Sequence, residues 1–249
     1  MDLAEEYRQQ FQWRDWATAL AALPSVEERV VIDLGCGVGD LAAELAARGA
    51  RVVGLDGNRE LLAVARSRRI PNAEFRQADL GALPDLGIRA DGLWCSFVAA
   101  YFPSLAGTLS RWAQNLEPGG WVMLVEVDDL FGHEPLGTAA RARFDAYVEE
   151  ALAAGRYDFR AGSKLAQHLG AAGFRIESAL RLRDEEFSFD GPAAAGVVEA
   201  WSRRLERMVL LEQRWGESYR SVRDEFLGCL RRTDHRSTAT VRACLARKS

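Results

Sequence analysis

The sequence predicts an α/β fold built on a mostly parallel sheet, and three observations predict it. The first is the stretch Val30 to Ala42, an apolar run short enough for a buried strand, then glycine at every second position (Gly35, Gly37, Gly39), then a helical pattern. The second is repetition, because Arg51 to Asp56 and Ala73 to Leu80 read as further strands, each preceded by a helical stretch. The third is size: 249 residues with 48% hydrophobic content can bury one large core.

The glycine turn has the form of a nucleotide-binding device. Missing Cβ atoms let a ligand lie against the backbone, and the helix that follows aims free N–H groups at it. Nicotinamide and flavin enzymes use a related turn, but Asp33 stands at the end of the strand, where a fixed negative charge serves an ammonium or sulfonium and not a pyrophosphate. Asp33-Leu34-Gly35-Cys36-Gly37-Val38-Gly39 resembles the first motif of the class I S-adenosylmethionine-dependent methyltransferases. The resemblance covers about residues 29–183 and 238–247. It implies a Rossmann-like seven-stranded sheet, mostly parallel with an antiparallel last strand, S-adenosyl-L-methionine as cofactor and S-adenosyl-L-homocysteine as product.

The elements follow in order. Residues 1–28 carry Leu3, Tyr7 and Phe11 at helical spacing, then Trp13, Trp16, Leu20 and Leu23, and end at Pro24. They are read as an N-terminal helical cap, and the resemblance sets Tyr7 and Phe11 in the substrate pocket. A helix from Asp40 to Arg48 stops at Gly49. The strand Arg51 to Asp56 ends 21 positions after Gly35, where a carboxylate accepts hydrogen bonds from ribose hydroxyls. A helix from Arg59 to Arg69 leads to a third strand ending at Asp79. There the resemblance implies an acidic residue facing the adenine amino group, with the backbone of Leu80 on the ring.

The fourth strand, Asp91 to Ser96, opens into Phe97-Val98-Ala99-Ala100-Tyr101. By resemblance Ser96 meets the methionine part of the cofactor, while Phe97 and Tyr101 floor the acceptor site. A helix from Ser104 ends at the turn Glu117 to Gly120 before the strand Trp121 to Val127. The loop Asp128-Asp129-Leu130-Phe131-Gly132-His133 beyond it lies at the carboxyl edge, where open α/β sheets bind ligands, so Asp128, Asp129 and His133 are the candidate catalytic bases.

Residues 29–183 thus form the core, with a helical insertion at about 133–160 and a strand at Phe174 to Leu182. Residues 184–237 are read as a helical lid, with helices over Ala193 to Trp215 and Ser218 to Arg231. Residues 238–249 supply the antiparallel strand. Between residues 199 and 232, eight arginines face six acids, a near balance that is not a nucleic-acid arm, though one or two of these arginines are candidates to hold a substrate carboxylate.

A net charge of −4 gives no footprint for nucleic acid. Cys36, Cys95, Cys229 and Cys244 have neither C-x-x-C spacing nor histidines at metal spacing, so no metal and no disulfide framework are expected. No apolar run approaches the ~20 residues a bilayer requires, and the N-terminus is acidic, so a cytoplasmic location without membrane contact is expected. The expected function is methyl transfer to the oxygen or nitrogen of an enclosed small molecule by in-line displacement. The alternatives are non-methyl chemistry on the sulfonium, such as an intramolecular cyclisation, and methylation of RNA or protein.

Overall fold

In the computed structural model, which describes residues 2–248, five strands run parallel: β1 (Val30–Leu34), β2 (Arg51–Asp56), β3 (Ala73–Gln77), β4 (Ala90–Ser96) and β5 (Leu116–Asp128). A two-residue strand β6 (His133–Glu134) follows, then β7 (Phe174–Leu182), a second short strand β8 (Arg236–Ser237) and β9 (Thr240–Lys248). The seven long strands form one sheet of order β3-β2-β1-β4-β5-β9-β7, in which β9 is antiparallel to both of its neighbours. This is the Rossmann-like sheet with an antiparallel last strand that the sequence predicts. β6 and β8 pair separately as a small antiparallel ribbon.

Alternation along the strands divides the core into two. Trp121, Met123, Val125 and Val127 of β5 face one apolar cluster, while Val122 and Leu124 face the other. The smaller side is covered by α5 (Leu105–Trp112) and α7 (Leu165–Ala171). The larger side takes α2 (Trp16–Ala21), α3 (Asp40–Ala47), α4 (Arg59–Ser67) and α6 (Thr138–Ala153). It continues without a break into α8 (Ala195–Arg207), α9 (Val209–Trp215) and α10 (Tyr219–Leu230). The helices of residues 184–237 therefore share one core with the sheet.

Several boundaries differ from the sequence reading, each for a physical reason. The predicted helix over 193–215 is two helices meeting at Met208 (φ −81°, ψ 64°). At that ψ Met208 lies outside the helical region, so the backbone ladder is interrupted there, and the second helix buries Leu211 and Trp215. The turn at 117–120 is a bulge within β5, where the pairing jumps from Ala90↔Leu116 to Gly92↔Trp121. β3 stops at Gln77, because the carboxylate of Asp79 caps a single 3-10 turn over Leu80–Ala82 by accepting the Gly81 N–H at 2.9 Å.

The N-terminal segment is α1 (Leu3–Gln12), capped by Asp2, followed by α2. It is tied to residues 183–186 through the backbone: the Asp15 N–H donates to Arg183 O and the Glu185 N–H to Trp13 O. Both segments thus lie together over the carboxyl ends of β1, β4 and β5. Among the described residues no helix is long and apolar enough to cross a membrane.

Candidate active site

A cavity of about 630 Å³ opens at the carboxyl edge of the sheet. Its floor is the glycine turn. Gly35, Gly37 and Gly39 all have positive φ (77°, 52° and 79°), a region that side chains with a Cβ rarely adopt. Their surroundings differ. A Cβ on Gly35 would lie 2.2 Å from Val98 Cγ2 and one on Gly39 2.8 Å from Phe75, so these two glycines admit neighbouring protein. At Gly37 the nearest neighbour is the ring of Tyr7, at 3.3 Å. Gly35 and Gly37 line the cavity, whereas Gly39 stands behind it as the left-handed entry to α3.

Two carboxylates flank the turn. Asp33, 1% exposed, lines the cavity with an Oδ2 that has no hydrogen-bond partner. Burial, and then the charge of Asp56, push its carboxyl up to about 7. At the end of β2, Asp56 accepts the Gly37 N–H at 2.9 Å and the Asn58 N–H at 2.8 Å, one on each oxygen. Leu80 and Ser96 line the wall, while Asp79 does not, its oxygen being engaged by Gly81.

Opposite the turn the wall is aromatic. Tyr7, Phe11, Phe97 and Tyr101, the four residues read from sequence as pocket lining, all line it, joined by Trp16, Tyr157 and Phe187. Phe97 sits at φ 56°, unusual for a bulky residue, and its ring stacks under the Arg14 guanidinium at 4.4 Å. The Tyr101 ring packs edge-on against Tyr157 at 4.9 Å.

The structure does not bring the three candidate bases to this cavity. His133 is fully buried among the helices of residues 184–237, its Nδ1 3.0 Å from His235 Nε2, beside Trp201, Phe189 and Phe226. Desolvation, then His235 and Arg141, push it down to about 3. Asp129, at φ 57°, accepts the Thr238 hydroxyl at 2.7 Å, and Asp128 lies 3.9 Å from Arg242. None of the three lines the cavity. The loop leaves β5 and turns into the β6–β8 ribbon, which carries His133 away from the sheet edge.

Sequence reasoning offered one or two unnamed arginines of residues 199–232 as holders of a substrate carboxylate and passed over Arg14 and Arg156; Arg14, Arg156, Arg204 and Arg207 all line the cavity. Arg14 and Arg204 meet at Glu186 (2.9 and 2.5 Å), and Arg207 pairs with Glu6 (2.7 Å). An available signal was the arginine excess between residues 199 and 232, though it does not say which of the eight turn inward. All four cysteines are buried and free, and among the described residues no group of three or more His, Cys, Asp or Glu is placed to hold a metal.

Comparison with known proteins agrees with this geometry. The profile of a methyltransferase-domain family matches residues 4–179. A trans-aconitate 2-methyltransferase of Methylobacterium nodulans is 38% identical over 124 residues, 47% of this chain and 45% of that one, so the chain covers less than half of that relative's length. A ubiquinone biosynthesis O-methyltransferase of Burkholderia thailandensis is 28% identical over 169 residues, 65% of this chain and 70% of the relative. Among solved structures, an S-adenosylmethionine-dependent methyltransferase from Mesorhizobium loti superposes with a TM-score of 0.59 at 20% identity, covering 94% of this chain and 97% of that one, a likeness of fold.

Proposed function

The chain belongs to the methyltransferase-domain family, and on that premise we propose that it methylates a small organic molecule enclosed between the sheet edge and the helical cap, with S-adenosylmethionine as methyl donor. The observation that carries the reading is Asp33, a buried carboxylate with an unpartnered oxygen that opens on a glycine turn. Such a group is costly without a partner of opposite charge. The ammonium or sulfonium of the donor is such a partner, so the residues fit this cofactor. A dinucleotide, with its negative pyrophosphate, would worsen the charge balance.

Asp33 is assigned to the cationic amino-acid part of the donor. Asp56 is assigned to the ribose hydroxyls, with the backbone of Leu80 at the base and Ser96 beside the methionine end. The donor supplies a methyl group already activated by its sulfonium, so this chain's task is to position the acceptor and exclude water. Tyr7 covers the glycine turn, while Trp16, Phe97 and Phe187 form a wall that excludes water. Asp128, Asp129 and His133 stay proposals as bases only if the loop rearranges. A positioning mechanism needs none of them.

Calorimetric titration with S-adenosylmethionine, S-adenosylhomocysteine and NAD tests the reading. Binding of the first two, with the donor intact by mass spectrometry after incubation alone, is the expected result. Breakdown of the donor without any acceptor would replace methyl transfer by chemistry on the sulfonium, and binding of NAD alone would overturn the assignment.

A further inference from the structure

The charged residues lining the cavity are segregated by sign. Its acids, Asp33, Asp40 and Asp56, all belong to the glycine turn and the ends of β1 and β2. The charged groups of the opposite half are all arginines: Arg14, Arg156, Arg204 and Arg207. The carboxylates that hold these arginines do not line the cavity. Glu6, Asp184 and Glu186 face Arg14, Arg204 and Arg207, and Arg203 is shared between Glu6 and the exposed Glu199.

Arg204 is the best placed of the four. One of its Nη atoms is bound to Glu186, its guanidinium lies over Phe187 and Trp201 at 5.0 and 5.4 Å, and its buried Nε has no partner. Tyr7, Tyr101 and Tyr157 line the same cavity as Arg204. The Tyr219 hydroxyl is engaged by Leu205 O, whereas those of these three tyrosines make no hydrogen bond among the described residues. A guanidinium with one nitrogen unpartnered, on the same cavity wall as three neutral donors, favours a ligand of single negative charge. Phe11, Trp16, Phe97 and Phe187 supply apolar surface for the rest of that ligand.

We propose that the acceptor is an organic carboxylate with an apolar or aromatic body, anchored by Arg204 and the phenols of Tyr7, Tyr101 and Tyr157. The proposal rests on the methyl-transfer reading of the same cavity and names its substrate class. It also fits the absence of a histidine or lysine from the described residues lining that half, since an anion held in place needs no such base to make it a nucleophile.

The test is calorimetry with matched probes, with and without S-adenosylhomocysteine: cinnamate against cinnamamide, octanoate against octanamide, with phenyl phosphate and phenethylammonium as the dianionic and cationic controls. At least one carboxylate is expected to bind about tenfold tighter than its amide and tighter than either control. Arg204→Met should erase that ratio while S-adenosylhomocysteine affinity stays within about twofold, and Arg204→Lys should keep part of it. Because Arg204→Met leaves Glu186 short of a partner, Arg204→Met/Glu186→Gln is measured beside it, and melting curves establish that each variant is folded. Equal or tighter binding of the amides, preference for the phosphate or the cation, or no carboxylate binding by a protein that binds S-adenosylhomocysteine overturns the proposal, and so does a ratio unchanged in folded variants. Failure of S-adenosylhomocysteine to bind refutes the methyl-transfer reading instead, and the probe ratios measured without it are scored separately.

Discussion

Asp33 and Asp56 close the neighbouring parallel strands β1 and β2, and the charge of the second adds to burial in raising the carboxyl of the first to about 7. A carboxyl raised by the fold contributes stability that is fully present below its free value of about 4 and is lost as pH rises through 7. Asp33→Asn should therefore make the ligand-free protein more stable at pH 8, by about 1–3 kcal/mol, and change little at pH 4. It should also weaken S-adenosylmethionine binding. Urea unfolding at both pH values checks the first part, and a variant less stable than the parent at pH 8 would refute it.

Asp56→Ala should weaken binding of the donor by about 1–3 kcal/mol through lost charge-assisted hydrogen bonds, and it also frees the Gly37 and Asn58 N–H groups. Titration calorimetry reads the effect. Unchanged affinity would remove Asp56 from the ribose role.

The His133–His235 pair titrates in the opposite sense to Asp33. With His133 pushed down to about 3, the unfolded chain takes up a proton that the folded one refuses, so stability falls as pH drops from about 6.5 towards 3. His133→Phe/His235→Phe should flatten that limb and, because neither ring lines the cavity, leave turnover within about twofold once the acceptor is known. Loss of turnover in a folded double variant would restore His133 as a catalytic candidate.

Trp201 is fully buried against Phe131, Phe187, Phe226 and His133, and its indole N–H donates to Glu186 O at 3.1 Å. Trp201→Ala should cost about 3–5 kcal/mol and lower the single unfolding transition of the whole chain. Two separate transitions in the parent protein would mean that α8 to α10 form an independent unit.

The first strands, the glycine turn and the ligand-facing edge were legible because each rests on a local pattern: Val30–Leu34 is apolar but for Asp33, Gly35, Gly37 and Gly39 take positive φ, and Asp56 ends its strand. Tyr7, Phe11, Phe97 and Tyr101 were legible through spacing and resemblance. The individual arginines of the wall were not, because the direction of Arg207 depends on where α8 lies relative to α1, a contact between residues 201 positions apart. His133 misled for the same reason: its neighbours in sequence point to the sheet edge, but pairing with residue 237 turns it in among α8 and α10.

β9 follows every other strand in the sequence, yet it lies between two of them. Until residues 240–248 enter, β7 has no strand neighbour and β5 presents an open apolar edge. A nascent or refolding chain must therefore carry a gap in its sheet while α8 to α10 are being made, exposed to edge-to-edge association. Trimming this tail is predicted to act less like removing a terminus than like drawing a stave from the middle of a barrel. The β5–β9 pairing, with Trp121 opposite Arg247, is also the longest-range strand pairing among the described residues, so closing it carries the largest loop-closure cost in the sheet.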